Sequence, residues 1–65
     1  MVTHLFRIIC KDFVAGVVLN NKGVVIECAP IFKWLKNKEF KQQIEYIVNR
    51  YDAKIEYIGK FDEED

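Results

Sequence analysis

Sixty-five residues, 51% of them hydrophobic and including five Phe, three Tyr and one Trp, describe one small domain with a core rather than a disordered chain. Ten basic residues balance ten acidic ones, which removes the global field that would draw the whole molecule to nucleic acid or an anionic membrane. No apolar run approaches the roughly 20 residues that span a bilayer, and the absence of serine excludes a serine-nucleophile hydrolase.

Residues 3–10, Thr-His-Leu-Phe-Arg-Ile-Ile-Cys, are rich in branched and aromatic side chains and stop at Lys11-Asp12, a polar pair suited to a tight turn, so they are expected to form a first strand. Residues 13–19, Phe-Val-Ala-Gly-Val-Val-Leu, carry no charge and are apolar or small at both parities, as a central strand is. Asn20-Asn21-Lys22-Gly23 reads as a hairpin, with Gly23 placed for the positive φ that closes it. Val24–Cys28 follow as a third strand.

Ala29-Pro30 starts a helical segment, because proline is tolerated in a first turn whose N–H groups have no partner. Ile31, Phe32, Trp34 and Leu35 group at helical spacing, and Asn37 is a candidate break and cap. Beyond it Phe40, Ile44, Ile47, Val48 and Tyr51 recur at i, i+4, i+7, i+8 and i+11, which predicts a helix over 38–51 with that stripe on the sheet. Asp52-Ala53 turns the chain, and Lys54–Ile58 alternates into a fourth strand before Gly59, expected at an edge.

The reading is an α+β domain of order βββαβ over residues 1–61, closed by an acidic tail at 62–65 (Asp62, Glu63, Glu64, Asp65). Three consecutive strands would form an antiparallel meander. A right-handed helical return would lay the fourth parallel to the first and beside it, in the order 4-1-2-3.

One helix covers one face of a sheet. Alternation places Val14 and Val18 of the second strand, and Val25 of the third, on the other face. Either that face stays open, or the segment near Trp34 or the tail covers it, or it docks on a second copy in a symmetric homodimer or on a partner protein.

Chemistry is sparse. The single histidine, His4, begins the first strand and Cys10 ends it, about 20 Å away at the rise of an extended chain, so no Cys-His pair forms within the domain. Cys10 and Cys28 fall two strand spacings apart, about 9–10 Å, beyond the roughly 7 Å a disulfide permits between Cα atoms. Both read as reduced in a cytoplasmic protein, the opening residues lacking the pattern of a secretion signal. No ligand pair has zinc-site spacing and no glycine-rich phosphate loop occurs, so neither a metal nor another cofactor is expected, and no enzyme.

Two surfaces stand out as contact candidates. Lys33, Lys36, Lys38 and Lys41 surround Trp34 and Phe40, a mixture able to track phosphates and stack a base. On the far side of the helix stripe Tyr46 projects with Arg50 at its flank, residue types that protein interfaces favour.

The stretch Phe13-Val14-Ala15-Gly16-Val17-Val18-Leu19, then Gly23-Val24-Val25, then Ala29-Pro30-Ile31 before a Trp-bearing helix, resembles a group of short uncharacterised bacteriophage and prophage proteins. They share a Phe-x-Ala-Gly … Gly-x-Val … Ala-Pro-Ile pattern, matched here over residues 8–50. The resemblance implies a phage accessory protein in the host cytoplasm, binding and obstructing a host complex such as a CRISPR or other defence system. Its motifs are structural and carry no site residue across. A small nucleic-acid-binding protein using the lysines near Trp34 is the other function expected from the residues.

Overall fold

The computed structural model describes residues 1–62 as a four-stranded antiparallel sheet with one α-helix and a 3-10 helix packed on one side. The elements are β1 (Val2–Ile9), β2 (Val14–Asn20), β3 (Val25–Cys28), the 3-10 helix η1 (Pro30–Leu35), α1 (Phe40–Tyr51) and β4 (Lys54–Asp62). The strand order is β3-β2-β1-β4.

Local chemistry explains both hairpins. At Lys11-Asp12 the chain reverses in two residues, with the Cys10 N–H donating to the Phe13 carbonyl at 2.8 Å. In the second, the Asn20 side-chain oxygen accepts from the N–H groups of Lys22 (2.8 Å) and Val24 (3.0 Å), and Gly23 sits at φ 83°. A Cβ on Gly23 would touch nothing within 4 Å. The cost of Gly23→Ala is therefore backbone strain alone, about 1–2 kcal/mol, and urea denaturation should show that loss; an unchanged midpoint would mean the turn relaxes to another form.

Asn37 does break the helical region, at φ 72°, but it caps nothing. The α1 N-cap position is Glu39, which makes no side-chain cap bond. Between the helices the chain is pinned to the outer edge of β3: Asn37 N–H donates to the Val25 carbonyl (2.8 Å), Val25 N–H to Lys38 (2.9 Å), and Val24 bridges Glu39. This short return covers one end of an edge that would otherwise be open to other strands.

That return also overturns the expected direction of β4. It carries the chain back to the start of β3, where Phe40 N–H meets the Gly23 carbonyl at 3.0 Å. The helix then runs the length of the sheet, Asp52 ends it in the left-handed region at φ 50°, and β4 comes back antiparallel to β1, from Ile9↔Lys54 to Val2↔Asp62. One extra pass inverts the strand.

β4 also continues through Gly59, where the sequence suggested an end, because a bulge at Ile58 lets Leu5 pair with Gly59 and Phe6 with Tyr57. Asp62 is thereby a strand residue paired with Val2, while Glu63, Glu64 and Asp65 lie outside the described residues.

The core is a single cluster in which Ile8, Val17, Val25, Phe32, Leu35, Phe40 and Ile47 are fully buried. Val25 is a correction. A register shift between Val18 and Leu19 places it opposite Leu19 on the helix-covered face, so Ile26 takes the place expected for it on the other. Phe32 and Leu35 enter the same core as Phe40 and Ile47, so η1 does not cover the second face. Val14 there is 58% exposed.

Candidate interaction surface

Phe32 organises the side of the molecule where η1 meets α1. Its buried ring lies 5.1 Å from Tyr51 edge-on and 6.4 Å from Trp34, and the Trp34 ring meets Tyr46 at 5.6 Å and 89°. Edge-to-face rings at these distances attract through their quadrupoles. Arg50, one helical turn beyond Tyr46, holds its guanidinium 5.7 Å from the Tyr51 ring centre, within cation–π range. Trp34 and Tyr46 remain substantially exposed while locked through their neighbours to the core.

Beside this pair lies a shallow hollow of about 470 Å³ lined by Trp34, Lys38, Gln43, Tyr46, Arg50 and Tyr51. On the other side of Tyr46 and Arg50 a second depression of about 490 Å³ is bordered by Gln42, Glu45 and Asn49. Tyr46 and Arg50 form the ridge between the two. Rigid aromatic area beside a guanidinium buries well against another surface at little entropic cost.

Two separately read sets are thus partly merged. Trp34 and Lys38, assigned from sequence to nucleic acid, join Tyr46 and Arg50, assigned to a protein partner. The remaining lysines go elsewhere: Lys33 and Lys36 border a depression with Glu27, Cys28 and Pro30, and Lys41 borders a groove with Phe6, Leu19 and Ile44. Val14 and Val18 lie on the opposite face of the sheet, and Val25 is in the core. Nothing in the sequence links Trp34 to Tyr46, twelve residues away; the only local signal was the i, i+4 spacing of Tyr46 and Arg50.

Other groups are dispersed. His4 Nδ1 lies 3.2 Å from the Tyr57 hydroxyl at the β1–β4 edge, whereas Cys10 closes the opposite end of β1. Both cysteines are free; burial pushes the Cys10 thiol above its ordinary range, and the Cys28 thiol donates to the Phe32 carbonyl at 3.2 Å. Among the described residues no three His, Cys, Asp or Glu side chains gather as a metal site, and no helix is long and apolar enough to cross a membrane.

What fold and surface define is a small α+β domain presenting an anchored aromatic and arginine patch. No family model, curated protein sequence or solved structure matches the chain.

Proposed function

We propose that the chain is a non-catalytic protein-binding module whose partner docks on the Trp34–Tyr46–Arg50 patch. The observation that carries this reading is the ring assembly on Phe32, which holds an exposed Trp, Tyr and Arg together before any partner arrives. Preorganised side chains of these types contribute most of the free energy in many interfaces. The resemblance of residues 8–50 to short uncharacterised bacteriophage and prophage proteins directs the choice of partner to a host complex, a defence complex of the CRISPR kind among them, obstructed by simple occupation of a surface. The divergence of Lys33, Lys36 and Lys41 from the Trp34 hollow favours this over a nucleic-acid track.

A photo-crosslinking side chain at Gln43, inside the hollow, should capture the partner from host lysate for identification. With that partner purified, Trp34→Ala and Arg50→Ala should each weaken binding by about 30-fold or more, the equivalent of about 2 kcal/mol. Lys60→Ala, exposed near the far end of β4 and bordering neither depression, should leave affinity alone. Equal affinity for all three folded variants would sink the reading. A captured nucleic acid, bound with steep salt dependence, would replace it with the alternative.

A further inference from the structure

The second face of the sheet holds a pattern that the aromatic patch does not use. Its rows run Asn20–Thr3–Phe61, then Val18–Leu5–Gly59, then Gly16–Arg7–Glu56, then Val14–Ile9–Lys54. At the first end Thr3, Leu5, Val18, Ile26 and Phe61 form a hollow of about 490 Å³, rimmed by Glu27 and Asp62. At the last end Val14 stands out, 58% exposed, beside Ile9 and Lys54.

Two glycines lie on this face in neighbouring rows. Neither Gly16 nor Gly59 has a positive φ. A Cβ on Gly16 would meet only Leu5 Cδ1, at an ordinary 3.9 Å, and one on Gly59 would meet nothing within 4 Å. Glycine inside a strand weakens it relative to alanine; Gly59 follows the Ile58 bulge, where glycine is common, but neither the backbone nor the packing within the chain accounts for Gly16. A role outside the chain does: with Gly59 it leaves a notch on either side of Leu5 and Arg7, diagonally across the face, as close approach of another chain requires.

We propose that this face is the contact surface of a two-fold homodimer in which two sheets pack face to face with their strands reversed. The axis runs along the rows, between the sheets, so the hollow at one end of each copy receives the Val14–Ile9 end of the other. The axis falls between the two glycine rows, so Gly16 faces Val18 of the other copy and Gly59 faces its Glu56, and each glycine leaves room for the side chain opposite with the sheets at the usual spacing of about 10 Å. Charge supports a second copy over an unrelated partner. At the hollow end Asp62 lies 3.9 Å from the Met1 amino group, the ridge end carries Lys54 beyond the Arg7–Glu56 pair (3.4 Å), and reversal sets Lys54 of each copy over the Asp62 end of the same strand in the other. Hollow against ridge and acid against base are both self-complementary under one operation.

Sedimentation equilibrium across a concentration series provides the test. The wild-type chain should approach twice its monomer mass, and Val18→Glu should stay folded and monomeric. Gly16→Val is the discriminating variant: a branched residue in open strand space should leave the monomer at least as heat-stable, yet weaken association at least tenfold. Lys54→Glu should weaken the dimer, and combining it with Asp62→Lys should restore it. A wild type that is monomeric throughout overturns the proposal, leaving the face to solvent or a different protein. A dimer that persists unchanged in both Val18→Glu and Gly16→Val overturns it as well, by placing the contact elsewhere.

Discussion

Phe32→Ala should be the most damaging truncation in the chain, lowering stability by about 3–5 kcal/mol, the range seen for buried aromatic side chains. A domain of this length has a total stability of only about 3–10 kcal/mol, so the variant should be largely or wholly unfolded at physiological temperature. The size of the effect follows from what the ring touches. Phe32 is fully buried and meets Phe13 from the β1–β2 turn at 6.2 Å, Tyr51 from the end of α1 at 5.1 Å and Trp34 at 6.4 Å. Two other segments converge on it beside its own helix, and none can collapse into the space without moving the others. Trp34→Ala offers the comparison, since that ring is 37% exposed and leaves no sealed void. If chemical denaturation gives Phe32→Ala and Trp34→Ala equal losses, the convergence on Phe32 is not what holds this end together.

Ile47→Ala should cost about 2–5 kcal/mol, as deletion of a sealed aliphatic side chain does. Ile47 lies in the middle of α1 and is fully buried, whereas Ile44, one turn earlier, is only half-buried beside the groove that Lys41 and Gly23 border. Periodicity alone gives Ile44 and Ile47 equal weight. The structure ranks them: Ile44→Ala should cost clearly less than Ile47→Ala, because the groove already admits water to one side of Ile44. Val48, 36% exposed, should tolerate alanine with little loss. Paired thermal melts of the three variants decide it, and a loss at Val48 equal to that at Ile47 would mean that the helix is rotated about its axis.

Whatever depends on neighbours along the chain was legible in the residues themselves. Asn20 through Gly23 makes its turn with its own side chain and its own φ, the interruption at Asn37 comes from a residue that tolerates the left-handed region, and the stripe from Phe40 to Tyr51 marks the helix and most of its buried side. The α+β class and the strand order follow from these pieces and from the rule that sequential elements lie side by side. Direction and facing did not follow, since both are settled by bonds between distant residues. The return from Lys36 to Glu39 is held by Val25 and Gly23, and it inverts β4 relative to the simple crossover. Bulges at Ile26 and Ile58 shift the alternation by one, which buries Val25, brings Ile26 to the open face and carries β4 past a glycine that looks like a terminator. Period-two reasoning fails beyond a single inserted residue because every later side chain changes face. The candidate surface depended on the same class of information: Trp34 and Tyr46 are joined only because Phe32 is buried between two helices whose relative placement the β3 edge dictates.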